Sequence, residues 1–312
     1  MKSLFCLLII LGLFGCNSNQ ASKQTANQAD TVKIATPAFT YPQPPAMITD
    51  PNLQHEYIVK HYWDYFDFAD TTYVPTTDIT EQAWANYLNM LFYLPLNQAQ
   101  ETIKTLFAKS AQSNNKKLFQ YFTEMANKYL YDPNSPARNE ELYIPVLEVE
   151  VMTQTTVLSD AEKIRPQTLL KLAYQNRLGT KAFDFQYTDI TGRIRAMYQT
   201  NADFILLFFN NPDCTSCKEH LEAMRNTPLF NKLIAERKLQ ILSIFPDHDV
   251  EIWKNNRSLY PSTWTVGYDH TFSIGTKYDL KASPTLYLLD RNKVVVLKDA
   301  TLPLIENYLA NH

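Results

Sequence analysis

Near residue 179 the spacing of apolar side chains changes period, and one packing grammar cannot serve both halves of the chain. From Asp50 to about Leu178 the period is helical. Ile58, Tyr62, Tyr65, Phe66 and Ala69 form one stripe, and Trp84, Leu88, Leu91 and Phe92 a second. Ala99, Ile103, Leu106 and Phe107 form a third, and Leu118, Phe122, Met125 and Tyr129 a fourth. Asp50-Pro51 has the form of an N-cap followed by proline at the first helical position. Ser159 and Glu162 have the spacing of a capping box before a last helix that runs on through Pro166 with some distortion. "YDPNSPA", residues 131–137, breaks one helix from the next. This half is expected to be a bundle of about five or six helices. Its aromatic stripes read as core, and His55 and His61, six apart, do not share a helix face. No chemistry is visible in it.

After Gly179 strands alternate with helices, which implies a layered α/β domain. "AFDFQYTDITGR" alternates at Phe183, Phe185 and Tyr187 and turns over Asp189–Gly192. "FILLFF", residues 204–209, is an apolar run of the kind buried on both faces of a sheet. "CKEHLEAMRNTPLFNKLIAERK" is helical, and "LQILSIF" is a strand. "DVEIWKNN" reads as a helix and "STWTV" as a short strand. A helix near "TFSIGTKYDL" leads to the strand "SPTLYLLD", a hairpin turn over Asp290–Lys293, the strand "VVVL" and a closing helix. Trp253 and Trp264 read as core packing, and Tyr260-Pro261 as turn chemistry.

The 312 residues are 45% hydrophobic and 20% charged, a globular balance with room for two domains. A net charge of −3 without basic runs gives no footprint for nucleic acid. Six glycines cannot assemble a phosphate-cradling loop. No G-x-S-x-G elbow for serine hydrolysis occurs.

The first 16 residues read as a targeting segment rather than as fold. Lys2 precedes the apolar "LFCLLIILGLF", which is too short to span a bilayer. "LFGC" ends at Cys16 and resembles the bacterial lipobox, whose cysteine is lipidated and begins the mature chain. Residues 17–45 start as a polar tract and are expected to be a disordered tether. Residues 46–178 then form the helical domain and 179–312 the α/β domain. The expected location is the cell envelope, anchored by lipid on Cys16 and facing the periplasm, the outer membrane favoured over the inner. Asn17 and its successors lack an acidic cluster, so nothing marks display on the cell surface.

Cys6 leaves with the leader and Cys16 carries lipid, so Cys214 and Cys217 are the thiols of the mature chain. A redox dithiol, half of a metal site and a structural disulfide compete for them. Structural zinc wants four ligands, and recruiting His220 with His248 or His270 is the weaker reading. No metal is expected. A disulfide closing so short a loop constrains the unfolded chain little. Cys214 stands where an apolar strand ends and a helix begins, at the unpaired N–H groups and the positive end of the helix dipole. A thiolate there is stabilised below the free value of about 8.5. Cys217 lies one turn on, less favourably placed. Pro212 helps end the strand, and Asp213 is expected to be solvated.

Residues 180–312, through "AFDF", "LLFFNNPDCTSCK" and "YDLKASPTLYLLDRNKVV", resemble the thioredoxin-like superfamily, in particular the membrane-anchored TlpA-like thiol–disulfide oxidoreductases of the AhpC/TSA-like redoxin clan. The whole is then an α+β two-domain chain: an all-α helical bundle followed by an α/β thioredoxin-like fold. The resemblance implies thiol–disulfide exchange, with Cys214 attacking, Cys217 resolving, and Ser283 offering its backbone to substrate before a cis Pro284. It implies no cofactor beyond a redox-active Cys214–Cys217 disulfide. The implied partners are envelope protein thiols and disulfides and an upstream thiol reductant, with reduction favoured over oxidation. Lys218 matches the basic residue that follows the second cysteine in the family.

Three departures stand out. Thr215-Ser216 replaces the Gly-Pro of thioredoxins, Asp213 replaces a tryptophan, and Phe208 stands where thioredoxins bury the aspartate that accepts the resolving thiol's proton. Peroxiredoxins carry Pro and Thr seven and three residues before their reactive cysteine, where this chain has Leu207 and Asn211. The helical half resembles uncharacterised domains that precede such modules in Bacteroides-type lipoproteins. A second functional reading is an envelope interaction module whose dithiol is idle or senses redox state.

Overall fold

The computed structural model describes residues 39–70, 72, 77–152 and 157–312. The leader, Cys16 and most of the expected tether lie outside them. Six α-helices occupy the first half of the described residues: α1 (Pro51–His61), α2 (Thr77–Leu91), α3 (Leu96–Gln112), α4 (Lys116–Ala126), α5 (Glu140–Met152) and α6 (Asp160–Tyr174). The Asp50 carboxylate accepts from the backbone of Asn52 and Leu53, capping α1 as expected. Ser159 and Glu162 form the capping box of α6. A π-helical turn, Asn127–Tyr131, prolongs α4 before the breaker cluster.

Phe122 lies at the centre of the bundle, its ring within 6.4 Å of those of Trp63, Phe66, Phe68, Trp84, Phe107 and Tyr121. Two helices contain proline, Pro145 in α5 and Pro166 in α6. An interior proline costs about 3 kcal/mol. In α5 that cost is outweighed by burying Leu142, Tyr143, Ile144, Val146, Leu147 and Val149, each worth roughly 1.5–3 kcal/mol.

Three expectations for this half need correction. The α1 stripe stops short, because the chain turns after His61 and leaves Tyr65 exposed. Phe92 lies beyond the end of α2 and is also exposed. The tether does not run to residue 45: Phe39 packs against the rings of Tyr62 and Trp63, and Tyr41 accepts a hydrogen bond from Asn86.

The second half supplies β1 (Gln186–Asp189), β2 (Ile194–Ala196), β3 (Phe204–Phe209), α7 (Thr215–Asn226), α8 (Pro228–Ala235), β4 (Leu239–Phe245), α9 (Val250–Asn256), β5 (Thr265–Tyr268), β6 (Thr285–Asp290), β7 (Val295–Lys298) and α10 (Leu302–Ala310). They build one sheet in the order β2-β1-β5-β4-β3-β6-β7. The central β3 runs parallel to β4 and antiparallel to β6. Leu206 and Phe208 pack on one face with α7, α8, α10 and both Trp253 and Trp264. Ile205, Leu207 and Phe209 pack on the other with Phe185, Tyr187, Ile274 and Tyr278. Cover on both faces is why β3 reads as an unbroken apolar run.

The helix expected near "TFSIGTKYDL" shrinks to a 3₁₀ turn, Ile274–Thr276, and β1 begins only after an exposed Phe183. All the described residues belong to one compact unit, so the bundle and the sheet share an interface. None of the described helices is long and apolar enough to cross a membrane.

Candidate active site

The buried end of β3 delivers the chain to Pro212, also buried, and then to Cys214, the N-cap of α7. Cys214 is half-buried and Cys217 buried, and both thiols are free. Burial pushes the Cys214 thiol up, but the N–H groups of Cys217 and Ser216, the Cys217 thiol and Ser283 outweigh it. Its pKa therefore lies below the ordinary thiol value, as a sulfur at a helix start should. Burial dominates at Cys217, whose thiol is pushed up to about 11 although Ser283 and the Asn211 N–H oppose the shift. The sequence order of the two thiols thus becomes an asymmetry: an accessible sulfur that ionises readily, and a shielded one that does not.

The loop before β6 closes the site from the far side. The Ser283–Pro284 peptide is cis. The Cys214 thiol donates to the Ser283 carbonyl at 3.3 Å, and Ser283 Oγ lies 3.0 Å from Cys217 Sγ. The backbone N–H of Asn211 also donates to Cys217 Sγ, at 3.4 Å. Pro212, Cys214, Cys217 and Ser283-Pro284 are therefore brought together. Lys218 is exposed but lines the cavity beside Cys217 together with Pro212, whereas Asp213 is exposed and turns its backbone N–H onto Asn211 Oδ1 at 2.9 Å.

Behind Cys217 lies a polar network. The side chain of Asn210, 1% exposed, donates to the Phe208 carbonyl and to Ser243 Oγ at 2.8 Å, and accepts from the Tyr260 hydroxyl at 2.5 Å. Tyr260 is therefore not merely turn chemistry. With Cys217, Leu221 and Leu259 it lines a cavity of about 310 Å³ beside the second thiol. Phe208, in the place of the thioredoxin aspartate, points instead into the core, edge-on to Trp264. Among the described residues no carboxylate hydrogen-bonds Cys217, whose polar neighbours are the Ser283 hydroxyl, the Asn211 N–H and the Cys214 thiol.

A thioredoxin-like protein of Bacteroides caccae, known from its crystal structure, is 48% identical to this chain. The match covers 89% of this chain and 99% of that one, with a TM-score of 0.81. The chain belongs to the thioredoxin-like proteins. The AhpC/TSA family model matches residues 178–298, and a domain of unknown function, DUF5106, matches residues 15–176.

The C-terminal domain of an uncharacterized Bacteroides fragilis protein is 49% identical over 43% of this chain and 98% of that one, with a TM-score of 0.43. A domain of a possible thiol-disulfide isomerase from Cytophaga hutchinsonii is 31% identical over 44% and 94%, with a TM-score of 0.36. No curated protein matches the chain.

The AhpC/TSA match does not carry peroxidase geometry with it. Leu207 is buried in the sheet, and Asn211 spends its amide on Asp247 at 2.8 Å. The histidines do not assemble with the thiols either. His220 Nδ1 pairs with the Ser216 carbonyl, His55 Nε2 with that of Met90, and His61 Nδ1 with Asp64. Among the described residues no group of three or more His, Cys, Asp or Glu could hold a metal ion.

Proposed function

We propose that this thioredoxin-like chain is a thiol–disulfide oxidoreductase of the cell envelope, held to a membrane by lipid on Cys16 and reducing or exchanging disulfides of envelope proteins. The observation that supports it best is the accessible Cys214 sulfur at the start of α7, 3.3 Å from the Ser283 carbonyl. The Cys214 thiolate attacks one sulfur of a substrate disulfide, forms a mixed disulfide and releases the other as a thiolate. Cys217, once deprotonated, attacks Cys214, frees the second substrate thiol and leaves a Cys214–Cys217 disulfide that an upstream dithiol reductant must reduce. The backbone of Ser283, ahead of the cis Pro284, is the edge with which an extended substrate strand would pair.

Replacing Cys217 by Ala tests the reading, because it removes the resolving thiol and should freeze the first covalent complex. The expected result is a ladder of mixed disulfides through Cys214 that collapses on adding dithiothreitol, and turnover of a model disulfide by the wild type alone. No covalent partner and no turnover would leave an envelope interaction module.

A further inference from the structure

Between the 3₁₀ turn ending at Thr276 and the start of β6, residues 277–284 have no regular structure, yet this segment carries Ser283-Pro284. The helical half holds it at several points. Asn176 Nδ2 donates to the Lys277 carbonyl at 2.7 Å, and the Tyr131 hydroxyl donates to Asp279 Oδ1 at 3.2 Å. The Lys281 ammonium, its side chain 5% exposed, lies 3.1 Å from Asp299 and 3.3 Å from Asp279, and 4.6 Å above the Tyr131 ring. Arg138 in turn donates to the Asp299 carbonyl at 2.8 Å. Lys298, next to Asp299, pairs with Glu140 at 2.5 Å and donates to the Gln175 carbonyl at 2.9 Å. A lysine this deep is expensive to bury unless it is paired on every side, and here its partners come from the loop, from the end of β7 and from the bundle.

We propose that Lys281 is the positioning residue through which the helical domain holds the Ser283–Pro284 loop over the dithiol; this rests on the exchange reading above. One residue, Ala282, separates Lys281 from Ser283. Two residues span at most about 7 Å and have few torsions to absorb a shift. Moving the Lys281 end therefore moves the carbonyl that accepts from Cys214. DUF5106 is then not a passive neighbour but the wall against which the substrate-binding loop is set.

The test is the alkylation rate of Cys214 by iodoacetamide in the full chain, reduced, at pH 7, with thermal melting in parallel. Lys281→Met removes the ammonium that Asp279 and Asp299 share and lets the loop retreat. The Cys214 thiolate then loses the Ser283 contact that helps to stabilise it, and alkylation falls about threefold, half a pKa unit. Tyr131→Leu removes the helical side of the clasp while keeping apolar bulk, and should shift the rate in the same direction by about twofold even if Lys281→Met does not fold. A lower melting temperature with an unchanged or faster rate in Tyr131→Leu means that the network is structural only, and overturns the proposal. Because alkylation needs no client, a protein that traps no partner yet shows these shifts would refute the exchange reading and leave the brace intact.

Discussion

Cys214 and Cys217 are the same side chain with different proton affinities, and the difference arises within one helical turn. At Cys214 desolvation is outweighed by two backbone N–H groups, the Cys217 thiol and Ser283, and at Cys217 desolvation wins. With Phe208 in place of a buried base, the resolving thiol still has to ionise. The Ser283 hydroxyl at 3.0 Å and the Asn211 N–H at 3.4 Å are placed to stabilise that thiolate. A hydrogen bond to a charged group is worth about 1.5–3 kcal/mol, so Ser283→Ala should lengthen the life of the mixed disulfide about tenfold or more. The first attack by Cys214 should change far less. Stopped-flow or quenched-gel kinetics separate the two steps, and an unaltered mixed-disulfide lifetime would remove Ser283 from this role.

Among the elements, α5 carries an unusual burden. Glu150 is 9% exposed, and burial pushes its carboxyl up to about 7, with Arg165 only partly opposing. The folded chain therefore holds this proton more tightly than the unfolded chain, whose glutamate titrates near 4.3. Its stabilising contribution is complete below about pH 4 and is lost as the pH rises through 7. Glu150→Gln, neutral throughout, should exceed the wild type in denaturant stability by about 1–3 kcal/mol at pH 8 and by much less at pH 5. A variant weaker than the wild type at pH 8 would mean that the carboxylate has a partner it needs.

Where sequence reading succeeded and failed at this scale follows from the range of the forces involved. Caps at Asp50 and Ser159, the β3 run and the start of α7 are set by residues within a few positions of one another, and they were legible. The segment around Gly275 has a helical look, but Asp269 takes the Thr271 and Ile274 N–H groups and folds it into turns. Tyr260 reaches Asn210 across 50 positions, and only the sheet brings them together. The clasp of Tyr131, Arg138 and Glu140 on Asp279, Lys281, Lys298 and Asp299 joins polar groups scattered over both halves, and no local pattern marks it.

For the molecule as a whole, the bundle and the sheet form one compact unit whose interface lies next to the dithiol loop. A thioredoxin-like sheet presents a reactive sulfur, and the helical half fixes the wall opposite it. Exchange by this chain depends on the unequal ionisation of the two thiols in the assembled molecule. The direct measurement is the pH dependence of iodoacetamide labelling at each cysteine of the reduced wild type, read by mass spectrometry. Cys214 should label with a midpoint below the free-thiol value of about 8.5, while Cys217 stays protected until well above it. Two thiols that label together at or above that value would contradict the account.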